Sequence, residues 1–333
     1  MKSSSAVPPT RIRSPLIETD PPNRPHTAGT DAVKFQLAEP QAVYSLDAFK
    51  ADYQKANDGD GSPIEMSSRV QLSRADHKKL EAACRKAGVD YLCTAFDMES
   101  LRFLDDAFDM PFFKIASGEI LTRDMLEFMA ERDRPVLLST GMASFDEIRA
   151  ALGILDHKEG KDVTLMHCVS CYPAPHETIN LRVIPELAAR FGRPVGYSDH
   201  STGPECCLGA VALGARVIEK HVTPDKNLPG PDHKASATIE EFSQLAASIR
   251  RMEQALGGNE KIFSETETGV RLMARKSIVA ARNIKAGETI ARNDITFKRP
   301  GTGLSPMQAA DVVGATAGRD IEADRIIRAG DVE

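Results

Sequence analysis

Short apolar runs alternate with longer amphipathic segments from Asp31 to about Leu256. Seven runs are rich in branched or aromatic residues, as is typical of strands buried on both faces of a parallel sheet. They are Ala32 to Gln36, Tyr91 to Phe96, Phe112 to Ser117, Pro135 to Thr140, Val163 to Cys168, Pro194 to Ser198 and Arg216 to His221. The alternation predicts a series of βα units around one sheet.

The segments between these runs carry helix start and stop signals. Ser73, Ser144 and Thr238 each stand three positions before an acidic residue, a pattern that caps a helix N-terminus. Gly88 fits a helix C-terminus, where a left-handed residue is needed. These signals strengthen the prediction of helices between the strands.

The number and order of the runs favour a (β/α)8 TIM-type barrel, but seven predicted strands leave one place unfilled. The first strand would lie before Asp31, where Pro21, Pro22 and Pro25 disfavour a strand buried in a sheet. We therefore predict a barrel at residues 28–256 that lacks its first strand and helix, after a disordered arm at residues 1–27. A truncated chain or a degenerate relative would explain such an absence.

The sequence changes character after Gly257. Residues 257–275 are polar and show no helical period, so we interpret them as a linker. Residues 276–333 contain short apolar runs broken by turns, with a tight turn at Lys285 to Gly287, and predict a small β-rich domain. A domain of about sixty residues buries little apolar surface alone, so we expect it to dock elsewhere.

The composition is that of a globular protein, with 41% hydrophobic and 27% charged residues. The net charge of -6 argues against nucleic-acid binding, and no apolar run approaches the ~20 residues of a membrane span. The N-terminal arm lacks the apolar segment of a signal peptide, so we expect a cytoplasmic protein. Cys168 and Cys171 form a lone CxxC, for which metal or redox use is the less favoured interpretation.

Lys34 and Lys114 lie inside apolar runs, where an ammonium group needs an anionic partner. Catalytic groups of a barrel lie at the C-terminal ends of its strands. Hydroxyl-bearing residues at the predicted strand ends are Thr94, Ser117, Ser139 and Ser198. Lysines and hydroxyls together suit a phosphate and a carboxylate, although both lysines could instead pair with glutamates of the barrel.

His200 and His221 end consecutive predicted strands, so their rings can converge. Two imidazoles with water and substrate oxygens fit a catalytic divalent ion such as Mn²⁺ or Mg²⁺, whereas each histidine alone is more often structural. His167 lies one residue before a strand end and is interpreted as structural. The loop Pro229 to Ser236 brings Asp232 to the same mouth, unless it is an ordinary solvated turn.

Several motifs together resemble the N-acetylneuraminate (sialic acid) synthase family, over about Ala28 to the C-terminus. They are KIASGE (Lys114 to Glu119), LSTGMAS (Leu138 to Ser144), HCVSCYPAP (His167 to Pro175), GYSDHS (Gly196 to Ser201), EKHVT (Glu219 to Thr223), PGPDH (Pro229 to His233) and KRPGTG (Lys298 to Gly303). The C-terminal part resembles the family's SAF, or antifreeze-like, domain. The resemblance implies an enzyme that condenses phosphoenolpyruvate with an N-acyl amino-sugar aldose, such as N-acetylmannosamine, and releases phosphate.

The resemblance also implies a role for each matching residue. Phosphoenolpyruvate-binding positions are Lys34, Thr94, Lys114, Ser117, Ser139, Ser170 and Ser198, and the metal ligands are His200 and His221. Sugar-binding positions are Gln36, Glu119, Tyr172, Asp232 and Arg299. Glu119, Lys114 and His200 are expected to act in the reaction itself, with Mn²⁺ or Mg²⁺ as cofactor. Arg299 is expected to reach the partner's barrel, which implies a domain-swapped homodimer.

Two positions depart from the family pattern. Ser170 stands where the biosynthetic enzymes often have asparagine, and the Ala-Glu-Ile-Gly motif that ends the family's first strand is not found. A legionaminic or pseudaminic acid synthase is the nearest alternative, and Ser117-Gly118-Glu119 favours the neuraminic and legionaminic branch. The alternative of another class is a non-catalytic binding or oligomerisation protein.

Overall fold

The computed structural model describes residues 13–16, 29–157, 160–228, 230 and 232–333. The chain divides into two compact units, with the boundary between Gly257 and Gly258. Each unit contains its own hydrophobic core. No helix in these ranges is both long and apolar enough to cross a membrane.

The first unit is built around a ring of parallel strands. These are β1 (Arg13–Leu16), β2 (Ala32–Leu37), β3 (Asp90–Ala95), β4 (Phe113–Ile115), β5 (Val136–Ser139), β6 (Val163–Cys168), β7 (Val195–Asp199) and β8 (Val217–Lys220). One sheet has the order β1-β8-β7-β6-β5-β4, and β2 pairs in parallel with β3. The two sheets adjoin where β1 lies beside β2 and β3 beside β4. The predicted α/β barrel architecture is confirmed.

Helices connect the strands and cover the ring. They are α1 (Pro40–Val43), α2 (Asp52–Asp58), α3 (Pro63–Val70), α4 (Arg74–Ala87), α5 (Met98–Ala107), α6 (Arg123–Ala130), α7 (Phe145–Leu155), α8 (Val183–Phe191), α9 (Glu205–Ala212) and α10 (Ile239–Leu256). After β8, the short strands β9 (Val222–Thr223) and β10 (Ala237–Thr238) pair in parallel and hold together the ends of the loop that carries Asp232.

The expectation that the first strand is missing is wrong. β1 lies inside the N-terminal arm and pairs in parallel with β8, with Arg13 opposite Val217 and Leu16 opposite Glu219. Pro15 lies within β1, and the register shifts between Arg13 and Leu16. A proline is tolerated at such an irregularity, so the argument from prolines did not exclude this short strand. The first helix would fall at residues 17–28, outside the described residues.

The predicted helix signals are confirmed. The Ser73, Ser144 and Thr238 side chains accept hydrogen bonds from the backbone N–H three positions later, which satisfies donors that the first turn leaves without a helical partner. Gly88 ends α4 in the left-handed conformation, with φ of 71°. Helices such as α7 then bury one apolar stripe in the core, with Ile148 and Leu152 on the buried face.

The second unit contains α11 (Glu265–Ala274), β11 (Ser277–Ala280), β12 (Ile295–Lys298) and α12 (Ala309–Val312). β11 and β12 pair antiparallel, and Ile278, Ile284 and Ile290 lie in the core. The predicted turn is confirmed, since Glu288 N–H donates to the Lys285 carbonyl and Gly287 has φ of 84°.

One part of the predicted linker is wrong, because residues 257–275 include α11. This helix buries none of its residues, and its apolar side chains, such as Val270 and Met273, are exposed. Its start signal is nevertheless present in the sequence as Ser264 and Glu267, and Glu267 accepts a 2.8 Å hydrogen bond from Ser264 N–H, which is one half of a capping box.

We expect Gly196→Ala to destabilise the barrel. Gly196 lies in β7, where an added Cβ would come within 2.5 Å of Met166 Sδ and 2.7 Å of the Val217 carbonyl oxygen. Because three neighbouring strands would have to move, the free energy of unfolding should fall by about 1–3 kcal/mol. Urea denaturation followed by circular dichroism measures the change.

Gly153→Ala in α7 is the matched control. An added Cβ there meets no atom within 4 Å, so alanine should raise the free energy of unfolding by about 0.5–1 kcal/mol. Similar losses in both variants would contradict the close packing at Gly196.

Candidate active site

The C-terminal ends of the strands bring most of the predicted phosphoenolpyruvate-binding residues into the barrel interior. Parallel strands all end on the same side of the ring, so residues distant in sequence meet there. Buried residues within these strands or at their C-terminal ends are Lys34, Thr94, Lys114, Ser139 and Ser198.

Lys34 and Lys114 share one carboxylate, that of Glu219 in β8. Lys114 Nζ lies 3.6 Å from Glu219 Oε2 and donates a 2.7 Å hydrogen bond to Ser139 Oγ. Lys34 Nζ lies 3.9 Å from Glu219 Oε1. When all three groups are ionised, the two lysines and the glutamate carry a net charge of +1. The site therefore still favours an anion, although both lysines pair with a glutamate.

Glu219 was placed at a strand end by sequence but given no role. Its Oε1 accepts a 3.0 Å hydrogen bond from Ser198 Oγ, so it connects both lysines to β7. Glu219 and its partners are buried, where each charge needs compensation. Periodicity alone did not indicate that this glutamate lies between the two lysines.

Ser117 and Ser170 converge around Gly141, beside the buried thiol of Cys168. Ser117 Oγ accepts a 3.1 Å hydrogen bond from Gly141 N–H and lies 3.1 Å from Cys168 Sγ. A Cβ built on Gly141 would come within 2.5 Å of Ser170 Oγ and 2.7 Å of Ser117 Oγ. The glycine therefore lets two hydroxyls and a backbone N–H face the same small space.

His200 and His221 approach each other as predicted. Their ring centroids are 5.5 Å apart with an interplanar angle of 74°. His200 Nδ1 donates to the Val169 carbonyl oxygen at 2.7 Å, which leaves Nε2 with its lone pair, and Nε2 lies 3.4 Å from Ser198 Oγ. Burial, together with the nearby His221, lowers the pKa of His200 to about 4, so the ring is neutral at physiological pH.

These two residues fit a divalent metal ion. A neutral imidazole whose other nitrogen donates to a carbonyl is a common arrangement for a metal ligand. Within the described part of the chain, no three His, Cys, Asp or Glu side chains are grouped to hold a metal. The histidines would therefore supply only part of the coordination shell, and oxygen ligands would have to supply the rest.

Tyr172 and Asp232 lie next to the histidine pair. The Tyr172 ring centroid is 4.1 Å from that of His200 and 5.5 Å from that of His221. Asp232 Oδ2 lies 4.0 Å from His221 Nδ1. Two predicted sugar-binding residues are thus adjacent to the predicted metal ligands.

Tyr53 and Tyr44 also belong to this region, although sequence reasoning missed them. Tyr53 in α2 packs on Tyr172, with centroids 5.3 Å apart, and burial and the Asp232 charge raise its pKa. Burial and the Glu119 charge likewise raise the pKa of Tyr44. Both tyrosines lie between β2 and α4, where no motif points to function.

The remaining predicted residues differ in their surroundings. Glu119 accepts a 2.6 Å hydrogen bond from Thr122 Oγ1, and burial raises its pKa. Gln36 is exposed near the end of β2, and Arg299 is exposed in the second unit, just after β12. His167 Nε2 bonds to the Ile179 carbonyl oxygen at 2.7 Å, which fits the structural role expected for it.

Curated relatives cover nearly the whole chain. The N,N'-diacetyllegionaminic acid synthase of Campylobacter jejuni is 40% identical over 304 residues, which span 90% of this chain and 91% of the relative. The enzyme of the same name from Legionella pneumophila is 38% identical, over 89% of this chain and 84% of its own length. The N-acetylneuraminate-9-phosphate synthase of Mus musculus is 33% identical over 81% of this chain and 75% of its own length.

Solved structures show the same architecture. The N-acetylneuraminic acid synthetase of Leptospira borgpetersenii matches with a TM-score of 0.67 and 28% identity, over 78% of this chain and 90% of its own. The spore coat polysaccharide biosynthesis protein of Bacillus subtilis matches with a TM-score of 0.61 and 32% identity, over 96% of this chain and 95% of its own.

Family models account for both units. The SAF domain model matches residues 275–333, which confirms the resemblance of the C-terminal part. The NeuB family model matches residues 24–261, more than half of the chain. This protein is therefore an enzyme of the NeuB family that carries a C-terminal SAF domain.

Proposed function

We propose that this enzyme condenses phosphoenolpyruvate with an N-acyl amino-sugar aldose to give a nonulosonic acid and phosphate. The proposal rests on one observation, which is that the two buried lysines lie close to the histidine pair in the same barrel mouth. Lys34 and Lys114 both approach Glu219. Ser198 Oγ donates to Glu219 and lies 3.4 Å from His200 Nε2. The names of the relatives as legionaminic, pseudaminic and neuraminate synthases support the same reaction class.

The reaction requires one carbon–carbon bond to form and one carbon–oxygen bond to break. The methylene carbon of phosphoenolpyruvate attacks the aldehyde carbon, and the aldehyde oxygen takes up a proton. Water adds to the enol carbon through a new carbon–oxygen bond and loses one proton. The added hydroxyl then gives its second proton to the departing phosphate and becomes the keto oxygen, as the bond between that carbon and the ester oxygen breaks.

Lys34 and Lys114 would hold the phosphate and carboxylate charges of phosphoenolpyruvate, with the serine hydroxyls and Thr94 donating to their oxygens. Glu219 is the carboxylate that both lysines approach, so it is placed to accept the proton that the attacking water loses. A bound Mn²⁺ or Mg²⁺, held by His200 and His221, would supply Lewis-acid polarisation of the aldehyde oxygen.

The sugar would lie on the side of Tyr172 and Asp232, next to the histidine pair. The Tyr53 and Tyr172 rings offer an apolar wall that suits the methyl groups of N-acyl substituents. We propose N-acetylmannosamine or a related hexose as substrate. The alternative is a legionaminic or pseudaminic acid synthase. Identities of 40% and 38% with N,N'-diacetyllegionaminic acid synthases, against 32% with a pseudaminic acid synthase, favour the legionaminic alternative of the two.

The non-catalytic alternative has lost its main support. Its main argument was a missing barrel strand, and β1 occupies that place. Lys34, Lys114 and Glu219 together sum to one positive charge, which a bound anion would balance, so the arrangement favours a ligand-binding enzyme.

We expect Lys114→Ala to weaken phosphoenolpyruvate binding far more than sugar binding. Loss of a buried charged contact costs about 2–5 kcal/mol, which corresponds to about 30-fold to several-thousand-fold in the phosphoenolpyruvate KM. Steady-state assays of phosphate release, with each substrate varied in turn, separate the two effects.

Lys161→Ala is the control for Lys114→Ala. Lys161 is also buried, but it lies before β6 at the opposite end of the barrel and donates to the Met129 carbonyl oxygen. It should lower stability and leave both KM values unchanged. An unchanged phosphoenolpyruvate KM in folded Lys114→Ala protein would refute the assigned role.

We expect the His200→Ala, His221→Ala double variant to bind no Mn²⁺ and to release no phosphate. Removing both imidazoles takes away the two protein ligands proposed for the ion, and too few ligands then remain to hold Mn²⁺. Isothermal titration calorimetry measures Mn²⁺ binding. Phosphate release by the wild type after chelation, and again after Mn²⁺ is added back, measures how far activity depends on the ion. His167→Gln should bind Mn²⁺ normally, and full activity after chelation would contradict the proposal.

We also propose a domain-swapped homodimer in which Arg299 reaches the partner's sugar site. Mixing Arg299→Ala subunits with Lys114→Ala subunits should then recover activity, because each mixed dimer contains one site with both residues intact. Activity is measured after the mixed dimers are isolated with two affinity tags. Mixed dimers that form but stay inactive would exclude the swapped arginine.

A further inference from the structure

A buried ion pair lies directly behind the two histidines. Asp199 is the last residue of β7 and Lys220 the last residue of β8, and the two residues are paired in register. Lys220 Nζ lies 2.6 Å from Asp199 Oδ2, with both side chains almost fully buried. His200 and His221 are the next residues along the chain, so each histidine is attached to one member of the pair.

The Asp199–Lys220 ion pair also contacts Ser201, the residue that follows His200. Asp199 Oδ1 accepts hydrogen bonds from Ser201 N–H at 2.9 Å and Ser201 Oγ at 2.6 Å. Lys220 Nζ donates to the Ser201 carbonyl oxygen at 2.8 Å. The backbone on both sides of His200 is therefore fixed by Asp199 and Lys220.

Further contacts fix Asp199 itself. Tyr197 Oη donates to Asp199 Oδ1 at 2.9 Å, and Cys207 Sγ lies 3.1 Å from Asp199 Oδ2. Two oxygens thus receive five donors from β7, β8, the turn after β7 and α9. Simple stability would not require this, since an apolar pair of similar volume is often as stable as a buried ion pair.

We propose that Asp199 and Lys220 are positioning residues that set the distance and orientation of His200 and His221 and thereby the affinity for a divalent ion. The inference rests on the metal site of the proposed function. Neither residue touches the ion, and each acts through the histidine that follows it. Groups that hydrogen-bond to metal ligands typically contribute about 10- to 100-fold in metal affinity, and we expect an effect in the same range when the backbone that carries the ligands is released.

Direct Mn²⁺ binding tests the proposal without relying on turnover. Asp199→Asn and Lys220→Met, in the full-length chain, should each raise the Kd for Mn²⁺ by about 10- to 100-fold. Because the two residues act as a unit, the double variant should lose less than the product of the two single losses. The visible absorption bands of the Co²⁺-loaded protein should also shift, since they report ligand geometry.

Asp105→Asn is the matched control, because Asp105 forms ion pairs with Arg132 and Arg134 away from the strand ends. It should lower the melting temperature and leave the Mn²⁺ Kd unchanged. If Asp199→Asn does not fold, Tyr197→Phe decides the question, since it removes a single donor to Asp199 and should weaken Mn²⁺ binding by a smaller factor.

Three outcomes would overturn the inference. Variants that lose stability but bind Mn²⁺ as the wild type does would show a purely structural ion pair. An equal loss of affinity in Asp105→Asn would show a general effect of stability. A wild type that binds no Mn²⁺ would refute the metal site itself, which distinguishes that failure from a failure of the positioning role alone.

Discussion

The barrel interior is organised by the cost of burying two ammonium groups. Removing a charge from water is unfavourable by several kcal/mol unless a partner compensates it. Glu219 provides that compensation to both Lys34 and Lys114, at 3.9 and 3.6 Å. One carboxylate between two cations stabilises the folded interior and leaves it with a positive potential, so the same arrangement serves folding and anion binding.

The alternation of side chains along β7 and β8 produces two separate contacts on opposite faces of the strands. Ser198 and Glu219 contact each other in the barrel interior, whereas Asp199 and Lys220, one residue later, form their own ion pair. Successive side chains of a strand point to opposite faces, so one register fixes both contacts. A slip of one residue would exchange the two sets, which is why the pairing of Ser198 with Glu219 and of Asp199 with Lys220 is a single structural requirement.

The sequence predicted those features that depend on local pattern. Buried strands, helix caps such as Ser144, and the meeting of His200 with His221 follow from periodicity and from the geometry of parallel strands. β1 was missed because a four-residue strand with Pro15 has no strand signature, and α11 was missed because it buries no apolar stripe. The shared partner of the two lysines depends on side-chain distances across the barrel, which one sequence does not contain.

The side that would receive the sugar is built differently from the side that would receive phosphoenolpyruvate. Lys34, Lys114 and Ser198 lie on strands, whereas Tyr172 follows β6, Asp232 lies in the loop between β9 and β10, and Tyr53 belongs to α2. Strand ends are held rigidly by their neighbours, while loops tolerate changes of sequence. Residues on the strands would then serve the common reaction, while residues in the loops would select the aldose.

Relatives named for legionaminic, pseudaminic and neuraminate products share between 31% and 40% identity with this chain, as such a division of roles would permit. The segment around Tyr44 and Tyr53 is thus where differences in substrate should be sought, although it has no motif of its own.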